Sequence, residues 1–110
     1  MNFDIIATRR FEKELKRLVK KFPSLRNEYI FLLNTIRDNA KVGVLIGNNC
    51  YKIRLSIASK GKGKSGGARV ITHLYIKTGT LYLLTIYDKS EKDNINPNEI
   101  NEMIESLDFN

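Results

Sequence analysis

Two basic residues two positions apart, Lys52 and Arg54, precede a glycine- and lysine-rich run, and Arg69 follows it. Residues 52–69 read Lys-Ile-Arg-Leu-Ser-Ile-Ala-Ser-Lys-Gly-Lys-Gly-Lys-Ser-Gly-Gly-Ala-Arg. Six of these 18 residues are basic and none is acidic. Such a stretch repels itself unless an anion sits among its charges. Guanidinium groups grip phosphate oxygens in pairs, and glycines let backbone amides approach a phosphate closely. The chemistry on offer is phosphate binding. For a small basic chain the most available polyanion is nucleic acid.

Other chemistries find less support. Gly61-Lys-Gly-Lys-Ser65 lacks the Gly-x4-Gly-Lys-Ser/Thr spacing of a nucleotide-binding loop, and no helical pattern follows it. The only histidine is His73, so one chain cannot supply a histidine pair for acid–base work. His73 falls mid-strand, where a structural role is expected, and Cys50 reads as a small filler near the edge of the site. The acids gather in the tail without His or Cys spacing, so neither a metal site nor a cofactor is expected.

The bulk composition fits one domain spanning 1–110. The chain has 110 residues, 42% of them hydrophobic and 28% charged, with a net charge of +7 and a pI near 9.6. That is enough apolar material for one core. A lone cysteine fits a reducing compartment. No apolar run resembles a signal peptide or approaches the ~20 residues of a membrane span, so a cytoplasmic protein is expected. Charge is unevenly placed. Residues 9–21 hold seven bases against Glu12 and Glu14, whereas residues 88–110 hold seven acids against Lys89 and Lys92.

The elements that must position these residues follow from hydrophobic spacing. Asn2–Ala7 reads as a first strand, and Thr8 as a helix cap. Phe11, Leu15, Leu18, Val19 and Phe22 share one helical face, with bases on the other. Pro23 ends that helix. Ser24 reads as the cap of a second, carrying Leu25, Tyr29, Leu32, Leu33 and Ile36 to about Asp38. Residues 39–49 read as a loop. From Cys50 to Ile57 the alternation puts Lys52 and Arg54 opposite Ile53 and Leu55. Arg69–Lys77 and Leu81–Asp88 pair as a hairpin around Thr78-Gly79-Thr80. The length of that turn decides whether Tyr87 shares a face with Arg69, and both registers stay open. Asn96-Pro97-Asn98-Glu99 opens a last helix, with the glutamate reaching back to the cap. The fold expected is α+β: a helical hairpin on one face of a small, mainly antiparallel sheet, in the order β-α-α-β-β-β-α, with the other face partly open.

Several stretches together resemble a known family. They are Phe11-Glu-Lys-Glu-Leu-Lys16, Tyr51-Lys-Ile-Arg54, Ser59-Lys-Gly-Lys-Gly-Lys-Ser-Gly-Gly-Ala-Arg69 and Leu83-Leu-Thr-Ile-Tyr-Asp-Lys-Ser-Glu91. With this element order, the chain resembles the RelE/HigB-like toxins of type II toxin–antitoxin systems, in particular the HigB-like branch. The resemblance implies a RelE-like fold and an endoribonuclease that cuts mRNA on translating ribosomes. It also implies a cognate antitoxin, itself DNA-binding, as partner. The family's functional bases fall on Lys52, Arg54, Arg69 and Lys89. The RelE branch carries a functional tyrosine near the last helix. Here that region reads Asp93-Asn-Ile-Asn96, and Tyr87 is the nearest substitute.

Metal-free RNA cleavage starts with a 2′-hydroxyl attacking the neighbouring phosphate. Arg54 and Arg69 suit stabilisation of the charge that grows there. Lys89 helps to hold the phosphate. Lys52 or Tyr87 takes part in proton transfer, because crowding cations make both a lysine and a tyrosine more acidic. Lys60, Lys62, Lys64 and Lys92 are expected to hold RNA or the ribosome, each phosphate contact adding about −0.7 to the salt slope on a single strand. Two other functions fit the same fold: a ParE-like toxin directed at gyrase, and an RNA-binding module without cleavage.

Overall fold

The computed structural model describes residues 3–61 and 66–107. In chain order the elements are β1 (Asp4–Ala7), α1 (Arg9–Lys21), α2 (Leu25–Asp38), β2 (Val44–Gly47), β3 (Cys50–Leu55), a short 3-10 turn (Ala58–Lys60), β4 (Ala68–Tyr75), β5 (Thr80–Asp88) and α3 (Pro97–Glu105). The five strands form one sheet in the order β1-β5-β4-β3-β2. Only the β1–β5 pair is parallel.

The helical hairpin forms as its apolar spacing dictates. Thr8 caps α1, its hydroxyl accepting from the Phe11 N–H at 3.1 Å. Phe11 and Leu18 of α1, with Leu25, Leu32 and Ile36 of α2, are fully or almost fully buried against Ile53, Leu55, Val70, Leu81, Leu83 and Ile86 of the sheet. Glu14 of α1 accepts from the Thr85 hydroxyl at 2.7 Å and pins the helix to β5.

The opposite face carries a second, smaller cluster. Ile100 and Met103 of α3, with Ile95, cover Cys50, Ile71, Tyr82 and Leu84. The face expected to stay partly open is thus covered by α3 over this stretch. Asn96 caps α3 as the sequence suggests, accepting from the Asn98 N–H at 2.8 Å. Glu99 does not reach back to it. It binds Arg10 at 2.8 Å instead, while Glu91 binds Arg17 at 2.7 Å. The acid-rich tail and the basic face of α1 therefore complement each other within the molecule.

Two local readings differ from expectation. Residues 44–47 form the edge strand β2, although the sequence marks 39–49 as loop. All four β2 residues are exposed, so burial imposes no alternation for a reader to detect. The turn after it places Asn48 and Asn49 at φ 51° and 56°, the left-handed geometry of a tight hairpin. Ser24 makes no side-chain cap for α2. Its hydroxyl accepts instead from the Ser59 N–H at 2.9 Å, and its own N–H donates to the Ser59 hydroxyl.

Candidate functional site

Strand register assembles the site. Arg54 on β3 pairs directly with Arg69 on β4, and Arg69 pairs with Tyr87 on β5. Paired residues share a face, so the three side chains form one row across three strands, about 5 Å apart at their roots. Lys52 lies on the same face two residues before Arg54, opposite Ile71.

A bulge in β5 completes the row. Thr72 pairs with Leu83, whereas Ile71 pairs with Thr85, which leaves Leu84 as the extra residue. Continuing the Thr72–Leu83 register without the bulge would put Ile86 opposite Arg69. The bulge restores Tyr87 to that position and sends Ile86 into the helix-side core. This closes the choice of register that the sequence leaves open.

The environments in the row differ. Arg54 is exposed, whereas Arg69 is 5% exposed and donates to the Ala68 carbonyl at 3.1 Å. Tyr87 is also 5% exposed, and its hydroxyl is buried without a partner among the described residues. Burial raises the Tyr87 phenol above its ordinary pKa, with the Arg69 charge opposing the shift and Asp93 adding to it. This corrects the expectation of a more acidic tyrosine. Cations do lower a phenol's pKa, but desolvation of the phenolate outweighs them here. Tyr87 keeps its proton and can donate it.

Lys89 leaves the end of β5, its N–H donating to the Gly67 carbonyl at 3.0 Å. Its ammonium donates to the Asp93 carboxylate and, at 2.9 Å, to the Asp93 carbonyl. Lys52 donates to Asn94 Oδ1 at 3.2 Å. The segment before α3 thus reaches back to the cationic face. The hydrogen bond and charge of Lys89 hold the Asp93 carboxyl below its ordinary value, with smaller contributions from Arg69 and Lys52. Asp93 and Asn94 were not singled out from the sequence as site residues.

The loop lysines divide. Lys60, expected to hold RNA, turns inward: its Nζ lies 2.5 Å from Asp88 Oδ1 and 5.4 Å from the Phe22 ring centre. Its side chain is 8% exposed and that of Asp88 is fully buried. A lysine that neutralises a buried carboxylate is structural, which corrects the RNA-holding assignment. Burial alone would raise the Asp88 pKa, but hydrogen bonds from Lys60 and Ser90 lower it on balance. Lys62 and Lys64 lie outside the described residues. Lys92, also expected to hold RNA, pairs with Glu99 at 3.7 Å among the bridges that join the tail to α1.

Both ends of the Gly-Lys loop are locked. At the start, Glu28 accepts from the Ala58 N–H at 2.7 Å, beside the Ser24–Ser59 pair. At the end, a Cβ on Gly67 would lie 2.2 Å from the Leu55 carbonyl oxygen, so only glycine lets the two strands approach. His73 and Cys50 face each other across β3 and β4, with Sγ 3.5 Å from Nδ1. Burial lowers the His73 pKa and pushes the Cys50 thiol up to about 11. Both therefore stay neutral.

Fold and site define a small α+β protein whose sheet carries two guanidinium groups and a phenol in one row, with an ammonium on the same face. The profile of the RelE toxin of the RelE/RelB toxin–antitoxin system matches residues 8–107. The chain belongs to this toxin family. Its fold is similar to that of a free Escherichia coli RelE toxin carrying two arginine-to-alanine substitutions. The TM-score is 0.64 at 15% identity, over 97% of this chain and 99% of that one. It also resembles the intact E. coli RelBE toxin–antitoxin complex, with a TM-score of 0.60 at 18% identity over 79% of this chain and 96% of the other.

Proposed function

We propose that this toxin is an endoribonuclease that cuts mRNA on translating ribosomes in the cytoplasm, acts as a single domain, and is neutralised by a cognate antitoxin protein. The observation that supports this reading best is the Arg54–Arg69–Tyr87 row. The 2′-oxygen of one nucleotide bonds to the adjacent phosphorus, and the bond from phosphorus to the 5′-oxygen breaks. The products are a 2′,3′-cyclic phosphate and a 5′-hydroxyl. Arg54 and Arg69 hold the two non-bridging oxygens, where charge grows in the transition state. Tyr87 keeps its proton at neutral pH and donates it toward the phosphate or the leaving oxygen. Lys52, once it has released its own proton to solvent, takes the 2′-proton as a neutral amine, and Lys89 supplies positive charge beside the phosphate. The chemistry passes through no metal or cofactor.

Expression of the chain alone, with mapping of mRNA 5′ ends, tests this reading. Wild type should arrest growth and generate new ends within coding regions, and Arg69→Ala should remove those ends. Arrest accompanied by DNA damage and intact mRNA would overturn it.

A further inference from the structure

Cys50 and His73 play no part in the phosphate row, yet both are buried and they pair directly across β3 and β4. Cys50 Sγ lies 3.5 Å from His73 Nδ1 and 3.6 Å from the Asn48 carbonyl oxygen. Burial lowers the His73 pKa, and a hydrogen bond from its ring to that same Asn48 carbonyl opposes the shift. A sulfur, a nitrogen and an oxygen thus form one compact triangle. Rigid parts hold it. Asn48 and Asn49 are left-handed at φ 51° and 56°, and the Leu74 N–H donates to the Asn49 carbonyl at 2.9 Å. Cys50 also pairs with Gly47 on β2.

The triangle has the dimensions of a metal's ligand set. Tetrahedral zinc bonds sulfur at about 2.3 Å and nitrogen or oxygen at about 2.1 Å, which puts neighbouring ligand atoms about 3.6 Å apart. The sulfur meets both of its partners at that separation. A thiol hydrogen bond spans a similar distance, but here three different donor atoms converge and one side stays open. Asn48 and His73 line a cavity of about 490 Å³, which gives an ion a way in and a water room to serve as fourth ligand. Among the described residues no three His, Cys, Asp or Glu side chains converge on one point, so the third donor has to be the backbone oxygen. A mixed set of thiolate, imidazole and amide oxygen suits zinc, whereas magnesium and calcium take oxygen throughout.

We propose that Cys50, His73 and the Asn48 carbonyl bind one borderline-soft divalent ion, with zinc as the type case. On binding, the thiol releases its proton to solvent and the thiolate sulfur bonds the metal. The ion staples the β2–β3 turn to β4. No sequence spacing announces this site, because its two side chains stand 23 residues apart and its third ligand is a backbone atom. It lies outside the row that holds phosphate, so it stands whether or not the chain cuts RNA.

Cobalt(II) serves as the probe, because thiolate ligation gives it an absorption band in the near ultraviolet. The reduced chain titrated with cobalt chloride should develop that band and saturate at one equivalent, and added zinc should bleach it. Cys50 is the only cysteine, so the wild-type band by itself identifies the sulfur. Cys50→Ala should remove the band, and His73→Gln should weaken cobalt binding at least about tenfold. Zinc at about a hundredfold over its Kd should raise the wild-type Tm by at least about 5 °C and leave that of Cys50→Ala in place. Should a variant fold poorly, the wild-type spectrum and its bleaching by zinc still decide. A wild-type chain without the thiolate band, saturation at half an equivalent through bridging of two chains, or an equal zinc shift in Cys50→Ala would overturn the site.

Discussion

The two faces of the sheet are built on opposite terms. The face under α1 and α2 is a continuous apolar layer, from Phe11 and Leu18 to Val70 and Ile86. The face under α3 has a smaller apolar cluster that includes Tyr87, beside which Lys52, Arg54 and Arg69 stand on the neighbouring strands. One face earns stability and the other spends some of it. Arg54 and Arg69 sit directly opposite each other, a like-charge pairing that destabilises a sheet. Tyr87 buries a hydroxyl that no described residue satisfies. Rigid strands fix these groups, and the helix-side core bears the cost of keeping them together.

Replacements that cross this divide should separate stability from activity. The largest effect on the fold is expected at Lys60. Lys60→Ala strands the buried Asp88 carboxylate and should cost about 3–5 kcal/mol in a denaturant titration. The same change at Lys52, whose amine hydrogen-bonds to Asn94, should alter stability by less than about 0.5 kcal/mol while lowering cleavage. Equal losses of stability at the two lysines would erase the distinction drawn between them.

The Lys60–Asp88 pair also sets a pH dependence. The folded-state pKa of Asp88 lies below its unfolded value, so its contribution is present above the unfolded carboxylate pKa. It is lost as pH falls through the folded value. Wild type should lose stability on this acid limb, and an Asp88→Asn variant should show a flatter one in melting scans from neutral to acid pH.

Tyr87→Phe gives a sharper contrast at one position. Removing an unpartnered buried hydroxyl should leave stability unchanged or raise it by up to about 1 kcal/mol. Cleavage should fall by about 10²–10⁴, because the phenol donates in the proposed reaction. A variant that loses stability and keeps its rate would remove Tyr87 from the site.

The smallest effect is expected at Asp93. Its carboxylate is the anion that Lys89 holds, in range of Arg69 and Lys52, before any RNA arrives. Asp93→Asn should bind an uncleavable 2′-deoxy oligonucleotide a few-fold more tightly at low salt, with the gain fading as salt screens it. Weaker binding would mean that Asp93 supports the cations instead of competing for them.

Much of this division was legible in the chain. The alternation of Cys50–Ile57 puts Lys52 and Arg54 on one face and Ile53 and Leu55 on the other, and the two clusters divide the same way. The helical stripes and the caps at Thr8 and Asn96 were equally plain. What escaped were facts of tertiary context. Lys60 reads like Lys62 and Lys64, and only the fold brings Asp88 and Phe22 to it. The Leu84 bulge has no glycine to announce it, so the partner of Arg69 could not be chosen between two registers. The Tyr87 pKa turned on a balance of burial against charge, and charge alone is visible in a sequence.

The central claim is that Arg54 and Arg69 act as one clamp on the cut phosphate. Single-turnover cleavage of ribosome-bound mRNA by Arg54→Ala, Arg69→Ala and the double variant tests it most directly. Each single variant should lose about 10²–10³ in rate, and the double should lose far less than the product of the two. Singles within about threefold of wild type, or losses that multiply in full, would contradict the claim.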